Sequence, residues 1–152
     1  MSTHMVRVEW QAQGDYAANT YSRGHRWFFD GGVEVAASAS PDVVPLPLSR
    51  VDAVDPEEAY VASISSCHML WFLDFARQAG LQLESYTDNA MGHMVRGPKG
   101  LWVSKVDLNV RMTFAGVPPP RDVLESLHNK AHDTCFIANS VITEIVTNLI
   151  DA

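Results

Sequence analysis

The chain has 152 residues, a length that suits one domain with its own hydrophobic core, so we predict a single domain. Its composition, 47% hydrophobic and 19% charged, is that of a globular protein, and it has no long uninterrupted apolar run that would predict a transmembrane segment. The formal net charge of -7 and the lack of a Lys/Arg cluster argue against nucleic acid as a partner, and we expect no membrane partner either.

The first third of the chain predicts β-strands over about residues 6–39. Apolar and polar residues alternate from Val6 to Trp10, which is the period of a half-buried strand. A pair of glycines after Asp30 predicts a turn between two later strands. Three prolines then remove backbone donors within residues 40–53, so this segment is predicted to be an extended loop.

A central helix over about residues 56–79 is the strongest local prediction. Asp55 can cap the helix, Pro56 suits its first position, and Glu58 stands where a capping-box acid reaches back. The segment has no helix breaker before Gly80, which suits a helix end. Apolar side chains occur on nearly every face, so we expect this helix to be covered on nearly every side.

The second half of the chain predicts strands over about residues 81–114, a helix over about 119–132 and a closing strand over about 141–150. The clearest strand signal runs from Val106 to Phe114, where apolar and polar residues alternate without interruption. The final segment is rich in Val, Ile and Thr, which favour strands. This order of elements predicts an α+β fold.

Cys67 and Cys135 are the residues best suited to chemistry. The first ten residues lack the basic start, apolar stretch and cleavage site of a secretory signal, so we expect a cytoplasmic protein in a reducing compartment. Cysteines there are expected to be reactive, metal-bound or buried. Cys67 by itself would be an inert core residue in an apolar helix, whereas Cys135 follows a polar His-Asp-Thr segment. Two thiols in different settings suggest a reacting pair.

Zinc is an alternative use of the same side chains, with Cys67, His68, His132 and Cys135 as ligands of suitable softness. Adjacent helical residues diverge by about 100 degrees, so Cys67 and His68 do not readily aim at one ion. The sequence also lacks a Cys-x-x-Cys pair. We therefore expect no metal and no cofactor, with structural or surface roles for the two histidines.

Two blocks of sequence resemble the OsmC/Ohr family of organic hydroperoxide peroxidases. They are Asp55-Pro56-Glu57-Glu58 with the small residues that lead to Ser66-Cys67-His68-Met69, and Ala131-His132-Asp133-Thr134-Cys135 with Asn139-Ser140. The order of elements agrees over nearly the whole chain. The resemblance implies an OsmC-like fold, in which antiparallel sheets wrap around central helices in an intertwined homodimer.

The resemblance also implies the site residues and the activity. By position they are Cys67 as the peroxidatic cysteine, Cys135 as the resolving cysteine and Glu57 as the acid. The family's arginine precedes a turn of the Asp30-Gly31 type, which leaves Arg23 and Arg26 as candidates, and spacing favours Arg23. The implied reaction reduces organic hydroperoxides, and an external dithiol, in the family a lipoyl-bearing protein, restores the thiols.

Two departures from the family pattern bear on the substrate. His68 and Met69 stand where hydroperoxidases often carry an aromatic residue, and a proline loop occupies residues 43–48. Apolar residues near the cysteines in the sequence, such as Trp71 and Phe136, favour an alkyl or fatty-acyl peroxide over hydrogen peroxide as the substrate.

Thiol chemistry explains why such a site needs these residue types. The thiolate is the nucleophile, and burial raises a cysteine pKa that is about 8.5 in water. Cys67 lies about three turns inside its helix, where the dipole no longer helps, so a cation must come from another element. An arginine meets that need and also stabilises the departing alkoxide. Glu57 would then hold the buried arginine, although a carboxylate there also simply favours a helix N-terminus.

The spacing of Glu57 and Cys67 predicts a dimer. Ten residues separate them, which is about 15 Å along a continuous helix. If both act in one site, Glu57 must meet Cys67 of a second chain, and two antiparallel helices on a twofold axis achieve this twice.

Two other functions remain open from the sequence. One is a different thiol activity on the same fold, such as disulfide exchange. The other is a redox-sensing or small-molecule-binding protein without efficient peroxidase turnover. Oxidation of Cys67 by one equivalent of alkyl peroxide separates the enzyme from the binding protein.

Overall fold

The computed structural model describes residues 1–151, which combine helices with mainly antiparallel strands. The residues divide into two compact units, residues 1–59 and the residues from Tyr60 onward. A single domain therefore stays a prediction. The elements of the first unit are β1 (Val6–Glu9), β2 (Gly14–Asp15), β3 (Thr20–Tyr21), β4 (His25–Phe29), β5 (Glu34–Ala37) and the first residues of α1 (Pro56–Gln78).

The first unit consists of short strands with little interior. β4 pairs antiparallel with both β1 and β5, and β2 and β3 form a separate two-stranded hairpin. Only Ala37, Ser38 and Ser49 are buried within residues 1–59. The apolar side chains of β1 are exposed, Val6 by 51% and Val8 by 59%, so the first unit lacks a hydrophobic core of its own.

α1 begins and ends through the local signals of its sequence. Asp55 Oδ1 accepts a hydrogen bond of 2.7 Å from the Glu58 backbone N–H, and Glu58 Oε2 accepts one of 3.1 Å from the Asp55 N–H. This reciprocal pair is a capping box, and it satisfies two amides at the helix start. At the other end, Gly80 adopts a left-handed φ of 77° and the Leu81 N–H bonds to the Ala76 carbonyl, a Schellman ending.

Within one chain, α1 is buried along a single stripe. The buried residues are spaced by three or four positions and are Ile64, His68, Phe72, Phe75 and Ala76. Other faces remain open to solvent, and Leu70 is 60% exposed. The sequence predicted cover on nearly every side of this helix, and one chain provides it on only one.

The second unit is built on a four-stranded sheet. Its strands are β6 (Leu83–Asp88), β7 (Met91–Gly97), β8 (Gly100–Phe114) and β9 (Glu144–Leu149). β6 and β7 pair antiparallel with successive segments of β8, whereas β9 pairs with β8 in parallel. The alternation predicted for β8 is present, and its inward residues Val106, Leu108 and Val110 pack on Ile64 of α1. The parallel orientation of β9 was not predicted, and it requires the crossover through α2.

α2 runs from Arg121 to Thr134, two residues later at each end than the sequence predicted. The prolines explain the later start, because each proline disfavours helical backbone at the preceding residue, and Pro120 itself is extended. A 3-10 turn, Ala138–Ser140, follows the helix. Neither α1 nor any other helix within residues 1–151 is long and apolar enough to cross a membrane.

Candidate active site

The two cysteines occupy different structural positions in the second unit. Cys67 lies near the middle of α1 and is half-buried, one residue before the buried His68. Cys135 is the residue at which α2 ends, and its N–H bonds to the carbonyls of Ala131 (2.9 Å) and His132 (3.2 Å). Its side chain is fully buried. The helix end thus fixes Cys135, while α1 leaves Cys67 accessible to a substrate.

The structure brings the two thiols together. Both cysteines are free, and they are close enough for Cys67 to affect the ionisation of Cys135. Burial and the neighbouring Cys67 together raise the pKa of Cys135 to about 11, against a smaller opposing effect of the Ala138 N–H, which donates to Cys135 Sγ at 3.4 Å. Cys135 therefore keeps its proton near neutral pH.

Arg23 and Arg26, the two candidate arginines, have different surroundings in the first unit. Arg23 is half-buried, and its guanidinium donates to the Tyr21 carbonyl (2.5 Å) and to Asn19 Oδ1 (2.6 Å) while lying 3.7 Å from the centre of the Tyr21 ring. Arg26 instead forms an exposed ion pair with Glu34 at 2.5 Å across β4 and β5. Arg26 thus has a carboxylate partner at the surface, whereas the contacts of Arg23 within residues 1–151 are with neutral groups.

Glu57 occupies the first turn of α1 and is half-buried. The capping box is formed by Asp55 and Glu58, so it does not occupy the carboxylate of Glu57. The helix continues without a break to Cys67, so the ten intervening residues correspond to about 15 Å of rise.

A buried histidine pair lies next to the thiols, and sequence reasoning found only one of its members. His68 Nε2 and His128 Nδ1 share a hydrogen bond of 2.8 Å, and the two side chains are 1% and 3% exposed. Burial lowers the pKa of His68 to about 4 and that of His128 to about 3, so both rings are neutral. One signal could have revealed His128: it lies between Leu124 and Ala131 on the apolar stripe of α2.

An aromatic side chain lies close to each cysteine in the sequence, one on α1 and one in the turn after α2. Trp71 lies one turn after Cys67 on the same face of α1, and Phe136 directly follows Cys135. Their rings meet edge to face with centroids 5.5 Å apart, and Phe136 is 68% exposed. Phe72, by contrast, is fully buried and belongs to the core. The pair of Trp71 and Phe136 therefore forms an apolar surface beside the thiols.

The donor set for zinc that the sequence offered is not assembled in the structure. Within residues 1–151, no three His, Cys, Asp or Glu side chains are arranged to hold a metal ion.

Comparison with known proteins agrees with this architecture. An OsmC-like protein of unknown function from Vibrio cholerae has a structure with a TM-score of 0.93 and 50% sequence identity, over 99% of this chain and 100% of that one. No curated protein matches the chain.

Two more distant structures share the fold at lower identity. The organic hydroperoxide resistance protein OsmC from Legionella pneumophila gives a TM-score of 0.69 at 18% identity, over 100% of this chain and 98% of that one. OhrB, the organic hydroperoxide resistance protein of Bacillus subtilis, gives a TM-score of 0.65 at 16% identity, over 99% of this chain and 98% of that one. These similarities confirm the predicted OsmC-like α+β fold.

A family model described as OsmC-like protein matches residues 49–149, which include α1, the four-stranded sheet, α2 and both cysteines. The matched segment is about two thirds of the chain, and the Vibrio cholerae protein extends the similarity to nearly all of it. The chain therefore belongs to the OsmC-like protein family.

Proposed function

We propose that the protein is a thiol-dependent peroxidase that reduces organic hydroperoxides to alcohols. The observation that carries this proposal is that two free thiols are close neighbours and that the pKa of Cys135 is raised to about 11. Cys135 thus retains its proton and serves as the resolving thiol, whereas Cys67, the more accessible of the two, acts as the nucleophile.

In the first step, the Cys67 thiolate attacks one peroxide oxygen and the O–O bond breaks. Cys67 becomes a sulfenic acid, and the alkoxide takes up a proton to leave as the alcohol. The thiolate supplies the electron pair, so the sulfur is oxidised and the peroxide is reduced.

In the second step, Cys135 condenses with the sulfenic acid. The Cys135 sulfur bonds to that of Cys67, and the sulfenic oxygen leaves as water with the Cys135 proton. An external dithiol, such as a lipoyl protein, then reduces the disulfide by exchange and becomes a disulfide itself. The second step protects Cys67 from further oxidation.

Charged groups for this chemistry come, in our proposal, from Arg23 and Glu57. Arg23 stabilises the thiolate and the alkoxide. Its guanidinium donates hydrogen bonds to neutral oxygen atoms, and a carboxylate can replace these atoms as the acceptor. Because about 15 Å of helix separates Glu57 from Cys67, Glu57 acts on the site of a second copy in a homodimer. The exposed faces of α1, with Leu70 60% exposed, support such a dimer.

The proposed substrate is an alkyl or fatty-acyl hydroperoxide rather than hydrogen peroxide. The apolar surface formed by Trp71 and Phe136 supports this preference, because burial of an alkyl chain against aromatic rings is favourable. Two other aromatic residues of α1 do not belong to this surface, because the Tyr60 hydroxyl bonds to Thr143 at 2.6 Å and Phe72 is buried in the core. Equal turnover of hydrogen peroxide and a bulky alkyl peroxide would contradict the preference.

Intact-protein mass spectrometry after one equivalent of tert-butyl hydroperoxide tests the function. We expect the wild-type protein to lose two hydrogens as the disulfide between Cys67 and Cys135 forms. The Cys135→Ser variant is expected to gain one oxygen at Cys67, which a sulfenic-acid reagent traps. An unmodified mass in both proteins would overturn the peroxidase and favour a binding role.

A further inference from the structure

We propose that His68 and His128 are positioning residues, which hold α1 and α2 in the register that lets Cys135 condense with oxidised Cys67. This inference rests on the proposed function and assigns a task to a pair of side chains that the peroxide chemistry itself does not use.

The first observation is that the two histidines form a polar contact between the helices. Within residues 1–151, the hydrogen bond of 2.8 Å between His68 Nε2 and His128 Nδ1 is the only side-chain hydrogen bond that joins α1 to α2. Both side chains are nearly inaccessible to solvent, so water does not compete for the bond. Because each ring is neutral, the contact requires no buried charge.

The second observation is that the histidine pair and the thiol pair lie in one interhelical seam. On α2, the buried residues are His128 and Ala131, and the buried Cys135 directly after the helix continues their i, i+3, i+7 spacing. On α1, Cys67 and His68 are consecutive residues whose side chains leave the helix about 100 degrees apart, and each has its partner on the α2 side. Ala131 lies between the two contacts in the sequence of α2 and belongs to the same buried cluster as Phe72.

A hydrogen bond between α1 and α2 fixes the position of one helix along the other, which apolar contacts alone leave less well defined. Apolar side chains tolerate small shifts along a helix, whereas a hydrogen bond between two rings loses its energy when its atoms separate by a fraction of an ångström. Phe72 stacks on the His128 ring at 4.0 Å, which restrains the ring that accepts or donates the bond. The pair therefore sets the relative position of the helices that hold the two sulfurs.

Register matters most after Cys67 has been oxidised. Oxidation of Cys67 changes the group that faces Cys135, whereas the histidine contact does not depend on the oxidation state of sulfur. Condensation must then bring the sulfurs to a bond length of about 2.05 Å. Positioning errors of about 1 Å can slow such a step by as much as about 100-fold.

A pair of His128 variants tests the proposal. His128→Phe keeps a ring to stack on Phe72 and removes the partner of His68 Nε2, whereas His128→Asn retains a polar group near the Nδ1 position. Single-turnover reactions with tert-butyl hydroperoxide would follow two rates, sulfenic acid formation in a Cys135→Ser background and disulfide formation in the parent background. We expect His128→Phe to leave the first rate within about twofold and to slow the second by about tenfold or more.

Two further outcomes complete this test. With excess peroxide, His128→Phe should accumulate sulfinic acid at Cys67, and His128→Asn should recover most of the wild-type disulfide rate. Leu127→Ala provides the matched control, because Leu127 packs on the same core cluster without entering the hydrogen bond. The two variants are compared under conditions in which they lose the same free energy of unfolding. If Leu127→Ala then slows disulfide formation as much as His128→Phe does, the histidine pair has only a structural role and the proposal is overturned.

Oxidation by diamide separates this proposal from the proposed function. Diamide joins the two thiols without peroxide, so its rate reports register even if the protein has no peroxidase activity. We expect His128→Phe to slow the diamide reaction as well, and His128→Asn to restore it. An unchanged diamide rate in His128→Phe overturns the positioning role, whereas a wild-type protein that reacts with diamide but not with alkyl peroxide overturns only the peroxidase.

Discussion

Residues 1–59 and the residues from Tyr60 onward differ in how they use apolar side chains. The first unit buries three residues and exposes the apolar side chains of β1. The second unit has two hydrophobic clusters, one where α1 meets β8 and one where α1 meets α2. Both thiols belong to the second unit, while the two proposed charged residues, Arg23 and Glu57, belong to the first.

The two thiols therefore lie in the unit that has a hydrophobic interior, whereas the apolar side chains of β1 remain largely exposed. The following predictions test how far the two units differ.

Loss of the proposed nucleophile should have the largest effect. We expect Cys67→Ser to abolish steady-state peroxide reduction with a dithiol as reductant, because a hydroxyl group does not form the sulfenic acid. Cys135→Ser is the control, and it should complete the first turnover before it over-oxidises. Turnover by Cys67→Ser would remove Cys67 from the mechanism.

Truncation of a buried side chain in the second unit should lower the free energy of unfolding much more than truncation of an exposed one in the first. Ile64 is fully buried, so Ile64→Ala should lower the free energy of unfolding by about 2–5 kcal/mol. Val8 is 59% exposed, and Val8→Ala should cost less than about 0.5 kcal/mol. Urea titration at several protein concentrations measures both. A larger cost for Val8→Ala that depends on concentration would place β1 in an interface.

Acid should destabilise the second unit through its histidine pair. The pKa of His68 is about 4 in the folded protein and that of His128 about 3, both below the ordinary value of 6.5. The unfolded chain therefore binds more protons, so stability is complete above pH 6.5 and falls as the pH drops towards 4. His68 alone accounts for a loss of about 3 kcal/mol at pH 4.

Thermal unfolding between pH 7 and pH 4 measures this loss. His128→Asn removes one of the two titrating rings, so its stability should fall less steeply over the same range. Equal slopes in the variant and the parent would contradict the assignment to the pair.

Removal of the first unit's arginines should separate a site residue from a surface one. We expect Arg23→Ala to lower kcat/KM by about 100-fold, the usual cost of a lost charge-stabilising donor. Arg26→Ala is the matched control, since its exposed ion pair with Glu34 contributes little, and kcat/KM should stay within about twofold. The reverse ranking would assign the site to Arg26.

The smallest expected effect concerns the start of α1. Asp55→Ala removes the acceptor of the Glu58 N–H and should cost about 1 kcal/mol. Val43→Ala, in the exposed loop, provides a nearby control that should change the free energy of unfolding by less than about 0.5 kcal/mol. Equal unfolding midpoints for Asp55→Ala and the parent would show that the capping box is energetically silent.

Much of the fold was predictable because its signals are local. Asp55, Glu58 and Gly80 fix the ends of α1 through contacts within a few residues, and the alternation around Val106 fixes the inward face of β8. The later start of α2 and the parallel pairing of β9 were harder to predict from the sequence. The start of α2 depends on proline sterics, and the pairing of β9 depends on where the crossover returns the chain to the sheet.

The candidate site divides in the same way. Cys67, Cys135 and the motifs around them carried the resemblance to the family, because reactive residue types are visible in the sequence. The position of His128 on the apolar stripe of α2 indicates that it is buried, but its partner could not be predicted because it lies 60 positions away.

The sequence by itself determined which segments form helices and strands and which two residues offer a thiol. Only the tertiary structure decided that these thiols are close neighbours and that a neutral histidine pair joins α1 to α2. The reason is physical: capping and alternation act between near neighbours, whereas a thiol pKa and an interhelical register depend on burial and on partners that folding brings from distant parts of the chain.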